Sequence, residues 1–132
     1  MDTVELLRDL TQASGVSGYE GKVRDIVRRA IEPYVDSVRT DALGNLIAFK
    51  KGTRGDGQPC RAIMLAAHMD EIGLMVTGFE DGFLRFLRVG GIDYRTIVGQ
   101  EVLVHGVRPL PGIVASHPPH VTPPEARRKA IS

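Results

Sequence analysis

The chain has 132 residues, 17 basic and 16 acidic side chains, and a formal charge of +1, which fits one domain of ordinary size. That balance gives neither the basic excess of a nucleic-acid surface nor an acidic tail, so nucleic acid is not an expected partner. The longest apolar run, Ala62 to Ala67, falls far short of the about 20 residues that span a bilayer, so no membrane role is expected.

Met1-Asp2-Thr3-Val4-Glu5 lacks the basic and apolar regions of a secretory signal. The single cysteine, Cys60, makes no internal disulfide, which is compatible with a reducing cytoplasm. It follows Pro59 with no histidine nearby in sequence, so a nucleophilic role is not expected.

Val4, Leu6, Leu7 and Leu10 share a helical period, and Asp2 or Thr3 is placed to cap that helix. Ser14-Gly15-Val16-Ser17-Gly18 breaks it. Ser17 and Glu20 then have the spacing of a capping box, ahead of a second helical face at Val23, Ile26, Val27, Ala30 and Ile31. Pro33 marks its exit. Lys22, Arg24, Arg28 and Arg29 read as a solvated outer face of that helix.

Beyond Pro33 the period becomes that of strands. Ser37–Thr40 and Asn45–Phe49 flank Asp41-Ala42-Leu43-Gly44, which suits a hairpin connection. Lys50 to Gln58 is a polar, glycine-rich loop without the Lys-Ser/Thr ending of a phosphate-binding loop. Arg61 to Ala67 reads as a buried strand that delivers His68. Strands are also expected over Ile72–Phe79, Phe83–Val89, Ile97–His105 and Gly112–Ser116, with no helical period between Gly73 and Ser116. Short strands at this spacing suggest a small barrel or sandwich. A boundary is therefore expected after Asp70, dividing 1–70 from 71–132.

His68-Met69-Asp70 carries the most specific local chemistry. Residues two apart in an extended chain project to one side, so an imidazole and a carboxylate are neighbours there. A neutral imidazole suits zinc, and a carboxylate beside it orients the ring. The tripeptide alone more often belongs to a strand-end pair that caps a turn. Glu71 falls on the opposite face from Asp70. His117 and His120 flank Pro118-Pro119 in a proline-rich tail without acidic or cysteine partners beside them, which favours a loop over a metal site.

Several landmarks in order carry a family resemblance. They are Gly15-Val16-Ser17-Gly18-Tyr19-Glu20, Asp41-Ala42-Leu43-Gly44-Asn45-Leu46-Ile47, Ala66 to Val76 and Val89-Gly90-Gly91-Ile92-Asp93. Val98-Gly99-Gln100, Val104-His105-Gly106 and Pro118-Pro119-His120 continue the series. Together they resemble the M42 metallo-aminopeptidases, cytoplasmic enzymes of the tetrahedral type that are sometimes labelled endoglucanases. Val16 stands where proline is usual.

The resemblance implies an α/β fold: the amino-terminal part of a zinc-peptidase-type domain over 1–70, then the start of an inserted small β-barrel-like domain over 71–132. It implies that His68 ligates one of two divalent ions, zinc or cobalt, and that Asp70 orients that histidine or tunes the metal site. A metal-activated water would attack the peptide carbonyl of the substrate, with a separate glutamate as general base. It also implies a dimer-based homo-oligomer, up to a tetrahedral dodecamer. The bridging aspartate, the glutamate base and the later ligands belong to family segments beyond Ser132, so the 132 residues are expected to be an inactive amino-terminal portion with uncovered apolar faces. Alternatives from other classes are a non-catalytic assembly or binding module and a glycoside hydrolase. The latter suits poorly a chain with no tryptophan and few other aromatics.

Overall fold

A computed structural model describes residues 2–53 and 61–116, and the chain divides into two compact units at Gly90–Gly91. The first unit opens with α1 (Thr3–Gln12) and α2 (Gly21–Ile31), followed by a 3-10 turn at Glu32–Tyr34. Asp2 caps α1 as expected: its carboxylate accepts the Val4 N–H at 2.9 Å, satisfying a backbone donor that the helix leaves open. α1 lies against α2. Val23 and Ala30, seven residues and thus two turns apart on α2, are buried, which places the core on one face of that helix.

The capping box at Ser17 and Glu20 does not form. Glu20 is itself the N-cap of α2 and makes no side-chain cap, its Oε1 instead accepting the Gly18 N–H at 2.7 Å. The Ser17 hydroxyl bonds elsewhere, to Asp70. A long-range carboxylate has displaced the local backbone partner.

The expected hairpin follows, with β1 (Ser37–Thr40) paired antiparallel to β2 (Leu46–Phe49) in a register that sets Ser37 opposite Phe49 and Thr40 opposite Leu46. Its turn is built by Asp41, whose Oδ1 accepts the Leu43 and Asn45 N–H groups at 3.0 and 2.9 Å, with Gly44 at φ 88°. Two members of the basic face of α2 are not merely solvated. Arg24 donates from Nη1 to the Gly44 carbonyl at 3.1 Å, and Arg28 donates from Nη2 to the Thr40 hydroxyl at 2.8 Å. These arginines tie the hairpin to the helix.

The buried strand expected over Arg61–Ala67 is absent. Residues 61–70 belong to no strand, and Ile63, Met64 and Leu65 are 87, 89 and 93 % exposed. A strand exists only where a neighbour takes its backbone hydrogen bonds, and no described strand lies beside this run. The chain regains a partner at Glu71, which forms a parallel bridge with Val16. β3 (Gly73–Glu80) and β4 (Phe83–Val89) then pair antiparallel, with an irregularity between Val76 and Gly78. Their two-residue connection, Asp81-Gly82, has φ of 51° and 83°, the twist that suits a tight hairpin.

The second unit begins with a single helical turn, α3 (Tyr94–Ile97), capped by Asp93, whose Oδ1 accepts the Arg95 N–H at 2.9 Å. The strand expected from Ile97 therefore starts four residues later, as β5 (Glu101–His105), and pairs antiparallel with β6 (Pro109–Ile113). β6 also begins earlier than expected, within Pro109-Leu110-Pro111. The two prolines are two residues apart and both turn the side without an N–H away from β5, which an edge strand tolerates. Among the described residues the strands form three separate two-stranded sheets, and no helix is long and apolar enough to cross a membrane. The chain is thus a mixed α/β protein.

Candidate functional site

The site is assembled where residues 15–18 meet residues 68–71. Tyr19 N–H donates to the Val16 carbonyl at 2.7 Å, closing a turn whose third residue, Gly18, sits at φ 87°. That arrangement has glycine where a type II turn requires a positive φ. Ser17 occupies the exposed corner. Gly15, immediately before the turn, is buried, and a Cβ there would stand 2.6 Å from Cγ2 of Val23. The core face of α2 therefore fixes the turn from beneath.

Glu71 clamps Gly15 in both directions. Its N–H donates to the Gly15 carbonyl at 2.9 Å, and its Oε1 accepts the Gly15 N–H at 2.9 Å. The Glu71 carboxylate is thus engaged in holding backbone.

His68 and Asp70 meet, as their spacing implies. His68 Nδ1 is 3.0 Å from Asp70 Oδ1 and 3.0 Å from the Asp70 carbonyl oxygen. A carboxylate and a carbonyl only accept, so in the neutral ring the proton sits on Nδ1 and the lone pair is left on Nε2. The His68 side chain is 86 % exposed and Asp70 40 %. The second carboxylate oxygen of Asp70 accepts from the Ser17 hydroxyl. That bond, above all, holds the Asp70 carboxyl below the usual range. The contact with His68 adds to the effect, and partial desolvation opposes it.

This arrangement is chemically suited to presenting one neutral imidazole nitrogen in a fixed orientation. It fits a single metal ligand with its orienting carboxylate, while no group of three or more His, Cys, Asp or Glu among the described residues could hold an ion. Cys60, His117 and His120 lie outside the described residues. The participant missed in the sequence is Ser17, since its only local signal, the spacing to Glu20, pointed to a helix cap.

The profile described as M42 glutamyl aminopeptidase matches residues 44–132, which include the His68-Met69-Asp70 segment. The chain belongs to the M42 peptidase family. A second profile, described as AMPT, matches residues 1–26. The M42 chain is 38 % identical over 120 residues to the lysyl aminopeptidase of Pyrococcus furiosus, covering 89 % of its own length and 33 % of that protein. Among solved structures it resembles the TET aminopeptidase of a marine-sediment Thaumarchaeota archaeon, at 37 % identity and a TM-score of 0.83, covering 98 % of this chain and 35 % of that one. It also resembles the TET1 peptidase of Pyrococcus horikoshii, described as assembling into a tetrahedron or a large octahedral shell. That match has 39 % identity and a TM-score of 0.73, covering 99 % of this chain and 38 % of the other. The M42 chain spans about a third of the length of these relatives.

Proposed function

We propose that this chain forms the amino-terminal part of a di-metal aminopeptidase, with His68 supplying one ligand nitrogen and Asp70 fixing that ring. The observation that carries the reading is the 3.0 Å contact between His68 Nδ1 and Asp70 Oδ1, which leaves Nε2 as the outward donor. Family membership supplies the reaction class. Two divalent ions, zinc or cobalt, would when bound lower the pKa of a water and polarise the peptide carbonyl. His68 would hold one of them, and Asp70 would keep the ring in the tautomer that ligates. Glu71 is not assigned as the base, because its carboxylate is committed to Gly15.

In this reading residues 1–70 belong to the catalytic α/β domain and residues 71–132 open an inserted β domain. The change from helices and a first hairpin before Asp70 to antiparallel ribbons after it is what supports that division, with β3–β4 lying in the same compact unit as the residues before it. The substrate class is peptides with a free amino terminus, and the assembly is a cytoplasmic homo-oligomer like those of the TET relatives. A polypeptide of these 132 residues offers one matched ligand, so it binds Zn²⁺ weakly and hydrolyses no peptide.

The test is a chimaera in which these residues replace the corresponding third of the Pyrococcus furiosus lysyl aminopeptidase. It should cleave aminoacyl p-nitroanilides and leave carboxymethylcellulose intact. In it, His68→Ala should empty one metal position, and Asp70→Asn should retain much of the metal but slow turnover by about 10- to 100-fold. Full metal content in the His68→Ala chimaera would overturn the assignment, and so would robust turnover by the 132-residue chain alone.

A further inference from the structure

We infer that Ser17 is a positioning residue of this site, holding Asp70 so that His68 keeps its proton on Nδ1 and presents Nε2. The inference rests on the ligand role proposed for His68 and extends it to a residue 51 positions earlier in the chain.

Three features of the structure converge on Ser17. The first is the division of labour on Asp70: one carboxylate oxygen faces His68 Nδ1, and the other accepts from Ser17. With both oxygens engaged, the carboxylate plane is fixed. Without Ser17, Oδ2 would be unbonded by this pair and the carboxylate would be free to rotate about its χ2 torsion, which for an aspartate is broad and soft.

The second is that Asp70 is the side-chain partner of Ser17 among the described residues. The helix it precedes is not capped by it, Glu20 accepts from Gly18 rather than reaching back to Ser17, and the side chain contributes no core packing because the residue is exposed. The third is that its backbone is held independently of Asp70. The Val16–Tyr19 turn, the two Gly15–Glu71 hydrogen bonds and the Val16–Glu71 bridge deliver the hydroxyl to one place. A hydroxyl on a rigid turn orients a carboxylate, whereas one on a loose loop would only solvate it.

The chemistry is a relay of orientation, with no proton transferred along it. Ser17 Oγ–H donates to Asp70 Oδ2, and Asp70 Oδ1 shares the His68 Nδ1–H with the Asp70 carbonyl oxygen. The effect on any bound divalent ion is exerted only through His68 Nε2.

The experiment is ¹⁵N NMR of histidine-labelled protein at a pH where His68 is neutral, comparing the unmodified chain with Ser17→Ala, Ser17→Thr and Asp70→Asn. The ring nitrogen shifts report the Nδ1–H to Nε2–H ratio directly, with no metal and no substrate present. The unmodified chain should be mostly Nδ1–H. Ser17→Ala should lower the ratio, by at most the about fivefold that one net hydrogen bond is worth, and Ser17→Thr should restore it because the hydroxyl returns. The Glu71 amide, whose bond to Gly15 does not involve the hydroxyl, should keep its shift in both variants. An unchanged ratio in Ser17→Ala would overturn the inference, as would a ratio lowered equally by Thr and Ala, which would assign the effect to the turn. An Nε2–H ring in the unmodified chain, indifferent to Asp70→Asn, would instead sink the His68 reading itself. Co²⁺ added to each sample should broaden His68 Nε2 at lower concentration in the unmodified chain than in Ser17→Ala.

Discussion

Two stretches of the first unit are both apolar and both adjacent to charged residues, yet they fold differently. Over residues 3–49 every element finds its partner within a few dozen residues. Asp2 caps α1, Asp41 closes the β1–β2 turn, and Arg24 and Arg28 reach from α2 to the hairpin. Over residues 61–67 the sequence is at least as apolar, but Ile63, Met64 and Leu65 stand in solvent and no strand forms. Hydrophobicity alone does not make a strand; pairing does. At His68–Glu71 the Gly15–Ser17 turn supplies hydrogen-bond partners.

The comparison breaks most easily at Gly15, where the two stretches are joined. A side chain there collides with Val23, so Gly15→Val should destabilise the unit by about 1–3 kcal/mol, the usual cost of overpacking, as measured by urea unfolding. It should also release Glu71, read as faster exchange of the Glu71 amide. Unchanged stability together with a protected Glu71 amide would mean that the turn is not fixed by α2.

The same comparison is sharpened by one truncation in each stretch. Val23 is 7 % exposed, and Val23→Ala removes the equivalent of two methylenes from a packed site, for a loss of about 1.5 kcal/mol. Leu65→Ala removes more carbon but from solvent, so its effect should stay within about 0.5 kcal/mol. The effect expected at Leu65 is on association instead. Replacing Ile63, Met64 and Leu65 together by serine should reduce self-association in sedimentation while leaving the unfolding midpoint in place, because an uncovered apolar run is a contact surface. A large stability loss from Leu65→Ala would show that the run is covered after all.

What the sequence disclosed follows the same line. α1, α2, the β1–β2 hairpin and the β3–β4 hairpin were legible because their signals are local: period, cap and turn residues such as Asp41, Gly44 and Asp81-Gly82. Only strand ends were misplaced there: Asn45 serves the turn and not the strand, and β3 runs Gly73–Glu80 where Ile72–Phe79 was expected. The single turn α3 is too short to express a helical period, and its only signal was Asp93 as a cap. β6 was obscured by Pro109 and Pro111, which argue against a strand except at an edge. The proximity of His68 and Asp70 was readable from a spacing of two. The bond between Ser17 and Asp70 joins residues 53 apart, and nothing in either neighbourhood distinguishes it from a helix cap.

A smaller effect is expected where the arginines cross from α2. Arg24→Ala removes one partly buried hydrogen bond to the Gly44 carbonyl and should cost about 1 kcal/mol. Arg24→Lys should recover little of it, since a lysine lacks the planar guanidinium that reaches this carbonyl. An equal loss would be expected from neither Lys22→Ala nor Arg29→Ala, both exposed, and finding one would return the whole face to a shared electrostatic role.

The smallest effect is the pH response of the hairpin turn. Asp41 is held below the ordinary aspartate pKa, first by the Asn45 side-chain amide at 2.8 Å and next by the backbone N–H of the same residue. A depressed carboxyl contributes ordering that is fully present above its unfolded pKa and is lost as pH falls through the lower folded value. The turn should therefore stay intact on acidification through about pH 3.9, the unperturbed aspartate value, and loosen only below it. The Asn45 side-chain and backbone amide shifts report this transition, with a midpoint below that of a short peptide bearing the same turn. Asn45→Ala removes the largest cause and should raise the Asp41 midpoint toward the peptide's. Asn45→Ala should leave the His68 ring shifts unmoved, because Asp41 and Asn45 share no hydrogen bond with the Ser17–Asp70–His68 chain. A His68 response to Asn45→Ala would show that the locally closed hairpin and the segment pinned from a distance are coupled as one unit, and the contrast between them would fall.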